Sequence, residues 1–229
     1  MTYSAETLTP RARLQVSLSG VPRRFLGLTL DDLGGYSGPV MGPIVQWLSL
    51  VLEGEVIRAD GSDLCGKGLL LHGPPGAGKT SLACALLQEL LRASKSGDLW
   101  SSGGHRVERP AYFASYPKIL QMMKDRMDDD READLLLRSL FGEDPRSAVR
   151  LLVIDDLGKE YRHANRWAET MFDHLLRTRF DEGWPTIVTT NVPPKDWSAV
   201  YGEAMGSFAH EAFLHLGIMS EEGDRRMAR

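Results

Sequence analysis

GLLLHGPPGAGKT, residues 68–80, is the stretch whose reading decides the fold. Its opening GLLLH is a short, almost wholly apolar run, the pattern of a strand buried on both faces. The remaining eight residues, Gly73 to Thr80, fit G-x-x-x-x-G-K-[ST]. After them Leu82, Ala83, Leu86, Leu87 and Leu90 recur at helical spacing, which predicts a helix over 79–93. Strand, glycine-rich turn, helix is the setting in which this motif grips phosphate. Glycines let successive backbone N–H groups turn inward around an anion, and the helix N-terminus adds partial positive charge. Lys79 would reach the outer phosphates and the Thr80 hydroxyl would ligate magnesium. The competing reading is a glycine-rich turn with an incidental lysine. The flanking strand and helix count against it.

Working outward, the alternation continues. AYFAS (111–115), RLLVID (150–155), TIVTT (186–190) and the segment around 214–219 read as strands. Helices are expected over 43–53, from Pro117 to about 127, and over 132–141, 164–181 and 202–213. Residues 31–43, rich in glycine and proline, and residues 98–110 read as loops. Such an order predicts an α/β fold: a parallel sheet covered by helices on both faces, with ligands at the carboxyl ends of its strands. Residues 1–24 read as a polar basic arm with one short helix, and 25–229 as the folded domain. The arm carries Arg11, Arg13, Arg23 and Arg24 against Glu6 alone.

Composition narrows the class. A chain of 229 residues, 42% hydrophobic and 25% charged, is neither disordered nor fibrous. No apolar run approaches the roughly 20 residues of a membrane span, and the first 20 residues lack a secretory signal. Cys65 and Cys84 show no framework spacing, so the expectation is a cytoplasmic protein with reduced thiols. The net charge of -4 excludes a wholly basic nucleic-acid coat but not a local basic patch.

Two further stretches carry chemistry. LLVIDD (151–156) is an apolar strand that delivers Asp155 and Asp156 to the phosphate edge. Asp155 would hold magnesium, usually through water, and Asp156 would orient and deprotonate an attacking water. An Asp-Asp pair at a strand end is also a common turn opening. TIVTTN (186–191) ends in Thr189, Thr190 and Asn191, whose polar groups could position water against the terminal phosphate. Asn191 could instead simply begin the turn before Pro193-Pro194.

Together the three elements resemble the AAA+ ATPases: first motif, acidic strand, then the polar strand end termed sensor 1. LLVIDDLGKE (151–160), RFDEGWPTIVTTN (179–191), VPRRF (21–25), GKGLLLHGPPGAGKT (66–80) and GDRR (223–226) are similar to the DnaC-type helicase loaders and the IstB-type transposition ATPases. The resemblance covers about 21–226. It implies a P-loop NTPase; the expectation of no substantial C-terminal helical lid comes from the chain stopping soon after the last strand, and that of a phage-encoded member from its shortness and looser ends. It implies ATP and Mg2+ as cofactors. Gly73, Pro74, Pro75, Gly76, Ala77, Gly78, Lys79, Thr80 and Ser81 would bind the nucleotide. Lys79, Asp156 and Asn191 would be catalytic, and Thr80 and Asp155 would hold the metal. The implied partners are a replicative DNA helicase, single-stranded DNA and further copies of the chain when ATP is bound, with no membrane. The alternatives are a transposition helper, a slow ATP switch on DNA and, from another class, a small-molecule P-loop kinase.

The sequence departs from the family in two places. Only about 20 residues precede VPRRF, where loaders carry a domain that grips the helicase. GEAMGSF (202–208) has Ser207 and Phe208 where the branch has an arginine that reaches the neighbouring subunit's ATP. Arg162, Arg177 and Arg179 are the nearby candidates to replace it on family geometry, although a plain helix-surface arginine is the favoured reading of each. Tyr112, Phe113 and Tyr116 with Lys118, Lys124 and Arg126 could stack and hold single-stranded DNA, although alternate residues of that strand also suit a core. His210 and His215 are five apart, so they miss the common helical face a zinc site needs.

Overall fold

The computed structural model describes residues 10–33, 38–54, 56, 66–93, 101–102, 105–107, 109–143, 146–158 and 166–219. Helix α1 (Pro10–Leu18) is followed by α2 (Gly38–Glu53), β1 (Gly68–His72) and α3 (Lys79–Ala93). A two-stranded antiparallel hairpin, β2 (Ser101–Ser102) and β3 (His105–Arg106), lies within the stretch expected to be loop. Then come β4 (Ala111–Ser115), α4 (Tyr116–Met127), α5 (Arg131–Phe141), β5 (Leu151–Leu157) and α6 (Arg166–Asp181). β6 (Thr186–Thr190), α7 (Trp197–Tyr201), α8 (Glu203–Ala212) and β7 (Phe213–Gly217) complete the order.

Five strands form one parallel sheet in the order β4-β5-β6-β1-β7. Alternation of side chains across it builds two cores. Leu69, Leu71, Leu151, Val153 and Ile187 pack with α2 and α3 on one face. Leu70, Leu152, Ile154 and Val188 pack with α4, α5, α6 and α8 on the other. A strand buried on both faces can carry no polar alternation, which is why these runs are continuously apolar.

Local signals set several boundaries. Asp130 caps α5 by accepting from the N–H groups of Glu132 and Ala133, and Gly142 ends it in the left-handed region at φ +73°. A side chain on Gly142 would also collide with the Trp184 ring, so glycine is required twice over. Helix α2 begins at Gly38, five residues before the expected start, and carries Pro43 inside it. Burial of Ile44, Trp47 and Val51 overrides the local preference for a break.

The N-terminal segment is not a free polar arm over its described residues. Val16 and Val21 are buried in the same cluster as Phe25 and Leu82. The Phe113 N–H of β4 donates to the Ser19 carbonyl at 2.7 Å, so this segment covers the open edge of the sheet. Gly20, at φ +74°, permits the approach: a Cβ there would lie 2.6 Å from the Phe113 carbonyl oxygen. No helix among the described residues is long and apolar enough to cross a membrane.

Candidate functional site

The site lies at the carboxyl edge of β1, β5 and β6. The loop from Gly73 is rooted on both sides of β1: Gly73 N–H donates to the Thr190 carbonyl at 3.3 Å, and Ile218 N–H donates to the His72 carbonyl at 2.7 Å. Gly73 sits at φ +155°, and a Cβ there would lie 2.1 Å from the Ile218 carbonyl oxygen. Gly76 and Gly78 also take positive φ, at +81° and +94°. Pro74 and Pro75 are exposed at the crest, Ala77 is buried, and Thr80 and Ser81 are half-buried in the first turn of α3. This is a glycine-rich backbone loop leading into a helix N-terminus, the form that fits a phosphate chain.

Lys79 is buried, and its ammonium donates to the Gly73 carbonyl at 2.9 Å, the Pro74 carbonyl at 2.8 Å and Asn191 Oδ1 at 2.8 Å. The last contact joins the first motif to the end of β6 across 112 residues of sequence. Thr80 Oγ1 donates to Asp155 Oδ1 at 2.8 Å, and Thr189 Oγ1 donates to the same oxygen at 2.7 Å. Burial pushes the Asp155 carboxyl above its ordinary value; the Thr189 and Thr80 hydrogen bonds oppose this, Asp156 adds to it and Lys79 offsets part. A hard cation placed between Thr80 and Asp155 would meet two oxygen donors and relieve that cost. Magnesium suits such a set, because it keeps waters and phosphate oxygens as its other ligands.

Between Ile154 and Leu157 the pairing with β6 slips: Ile154 faces Val188 and Leu157 faces Thr190, one extra residue on β5. Asp155 and Asp156 occupy this bulge. Asp156 takes φ +59°, and its N–H donates to Thr189 Oγ1 at 2.9 Å. Its side chain is exposed at the sheet edge. The three polar residues ending β6 therefore divide. Asn191 meets Lys79, Thr189 meets the aspartates, and buried Thr190 donates to the Leu157 carbonyl at 2.6 Å. Sequence reasoning also passed over His72, half-buried where β1 meets the loop. Burial, then His215 and Lys79, hold its pKa below the ordinary value.

Other expected residues lie elsewhere. Arg179 is fully buried and cannot reach a neighbouring subunit. Its guanidinium donates to Thr186 Oγ1 and to the carbonyls of Leu140, Val149, Arg150 and Pro185. Arg177 is at the surface, paired with Asp173 at 2.9 Å and stacked on Phe208 at 4.6 Å. Arg162 and the 223–226 stretch lie outside the described residues. Tyr112, Phe113 and Tyr116 are buried, so they offer no stacking platform for DNA bases. Lys118 bonds the Tyr112 hydroxyl and Arg126 pairs with Asp134. Arg13, Arg23 and Arg24 are exposed.

Residues 66–215 match the family described as IstB-like ATP binding protein. The chain belongs to that family. Its AAA+ α/β fold is shared with solved structures: the DnaC helicase loader has a TM-score of 0.60 at 24% identity, covering 86% of this chain and all of that one. DnaI has a TM-score of 0.64 at 22% identity, covering 86% and 94%. Among curated proteins, Protein CdcH of Halobacterium salinarum is 30% identical over 112 residues, covering 49% of this chain and 14% of that protein. Ribosome biogenesis ATPase RIX7 of Saccharomyces cerevisiae is 28% identical over 202 residues, covering 82% and 21%. The chain thus spans about a fifth or less of the length of these curated relatives. What the family carries to this IstB-like chain is a domain that binds ATP.

Proposed function

We propose that this protein is a magnesium-dependent ATPase that loads or remodels a replicative helicase on DNA in the cytoplasm, assembling with further copies of itself when ATP is bound. The observation that carries the catalytic half is the meeting of three distant motifs at one sheet edge through two adjacent hydrogen-bonded sets, Lys79 with Asn191 and Thr80 with Asp155 and Thr189. When bound, magnesium neutralises charge on the outer phosphates. Backbone N–H groups of Gly76, Gly78, Lys79, Thr80 and Ser81 hold the phosphate chain, Pro74 and Pro75 having none to offer, and Lys79 turns from the Gly73 and Pro74 carbonyls to the terminal phosphate. Asp156 takes a proton from water as the water oxygen attacks the terminal phosphorus. The bond from that phosphorus to the bridging oxygen breaks, and ADP leaves with the electron pair. Asn191 stays beside Lys79 and orients the attacked group.

The partner half is supported by fold likeness to two proteins, one of them named a helicase loader. The resemblance of the sequence to the IstB-type transposition ATPases supports a second reading, a helper ATPase of transposition. A loading assay tests the first. Purified protein, the helicase of its native cell, ATP and circular single-stranded DNA are combined, and DNA-bound helicase is counted. Loading that needs ATP and is lost in Lys79→Ala is the expected result. No loading, with ATP-dependent recovery of a transposase from the same cells, would favour the second reading.

A further inference from the structure

One hydroxyl touches both aspartates of the bulge. Thr189 Oγ1 donates its proton to Asp155 Oδ1 at 2.7 Å and accepts the Asp156 N–H at 2.9 Å. A regular parallel strand would give that N–H a backbone carbonyl. Here the extra residue on β5 breaks the register, and a side chain of β6 takes the carbonyl's place. The substitution matters because Asp156 is not glycine, yet it stands at φ +59°. Such a backbone persists only where neighbours hold it. Thr189 itself is 1% exposed, so its χ1 is fixed by packing and its hydroxyl has no water to turn toward.

We propose that Thr189 is a positioning residue that acts through the aspartates rather than on water or phosphate. It locks the bulge that points the Asp156 carboxylate outward, and it fixes the Asp155 oxygen that also receives the Thr80 hydroxyl proton. With the Thr80 proton committed to Asp155, the lone pairs of Thr80 Oγ1 are left for a cation. Thr189 therefore aligns the metal-facing pair and the catalytic base together. Its place at the end of β6 suggests direct water contact, but its donor and an acceptor position are already spent on β5. This inference rests on the proposed nucleotide site and names the group that keeps that site in register.

Thr189→Val removes the hydroxyl and keeps the shape, while Thr189→Ser keeps the hydroxyl and removes the methyl. A fluorescent ATP analogue is titrated into each protein with and without Mg2+, which needs no turnover. ATPase kcat and KM are measured alongside, with thermal unfolding as the check on folding. In Thr189→Val the tightening by Mg2+ should shrink about tenfold, while binding without Mg2+ holds. Its kcat should fall by about ten- to a hundredfold, the scale of a hydrogen bond to a charged group, and its KM for the magnesium nucleotide should rise in step with the lost Mg2+-dependent affinity. Thr189→Ser should recover most of both. Should Thr189→Val not fold, Thr189→Ala set against Thr189→Ser makes the same comparison. A folded Thr189→Val that matches wild type, or a folded Thr189→Ser as impaired as Thr189→Val, overturns the proposal. Wild-type protein that binds the analogue equally with and without Mg2+ would overturn the nucleotide-site reading, and this inference with it.

Discussion

Lys79 places its three donors on three protein acceptors, all within 2.9 Å. A phosphate must win the ammonium from the Gly73 and Pro74 carbonyls, which are uncharged, so the exchange favours the anion. Asp156 stands apart from this pairing. Its backbone is held, but its carboxylate is exposed beside the site. The two residues should therefore fail differently. Lys79→Ala should weaken ATP binding by about a hundredfold or more, because a dry charge pair is lost. Asp156→Asn should bind magnesium and ATP as wild type does and hydrolyse at least about a hundredfold more slowly, since an amide cannot take the proton. Calorimetric binding and a phosphate-release assay separate the two effects. Full turnover in Asp156→Asn would move the base elsewhere.

At the scale of elements, Arg179 of α6 binds carbonyls from α5, from the turn before β5 and from the turn before β6. Burial, with Arg150 nearby, pushes its pKa down to about 9, so it stays charged at neutral pH. Arg179→Ala would orphan several buried acceptors at once and should cost about 3 kcal/mol or more. Arg179→Lys should recover little of that, because an ammonium cannot span the fork. Urea unfolding midpoints check both, and an unchanged midpoint would show that the carbonyls find other donors. A second element-level prediction concerns pH. The folded state holds the His72 pKa below its ordinary 6.5, chiefly by burial, with His215 and Lys79 adding repulsion. Below that value the unfolded chain takes up the proton first, so His72 withdraws stability from the ligand-free protein as pH falls from about 7 toward 5, while Asp155 and Glu89, raised by burial, act in the opposite sense. His72→Gln should flatten part of that decline in melting temperature, and an identical slope would assign it to other groups. The strands of this sheet were legible in the sequence because burial on both faces leaves an apolar run no other element explains. The loop and its lysine were legible because the motif states its own chemistry. The start of α2 was not, since its prolines argue for a break that packing of Trp47 overrides. The docking of residues 16–21 was hidden by neighbouring arginines, and the bulge at Asp155–Asp156 is a tertiary fact with no local signal.

For the whole molecule, the question is where the charge that stabilises the leaving phosphate comes from. Lys79 supplies one cation. Arg179 is committed to the core, and Arg177 is held against Asp173 and Phe208 on the face where α6 meets α8. Phe208 is itself buried and supplies no charge. With Lys79 as the cation that the described residues bring to the outer phosphates, such a site would bind and align ATP before it stabilised the transition state fully. An arginine contributed by a neighbouring subunit or partner can raise phosphoryl-transfer rates by roughly a thousandfold or more. The isolated protein should accordingly hydrolyse ATP slowly when dilute. The rate per subunit should climb with protein concentration if copies complete one another's sites, or with added helicase if the partner does. Arg177→Ala distinguishes the cases: it should abolish the climb with concentration only if Arg177 swings off Asp173 to serve a neighbour, and it should leave helicase-driven stimulation in place if the partner brings the charge. The measurement is specific ATPase rate against protein concentration, with and without single-stranded DNA and helicase. Fast turnover at high dilution, constant across concentrations, would show that one chain holds all the charge it needs.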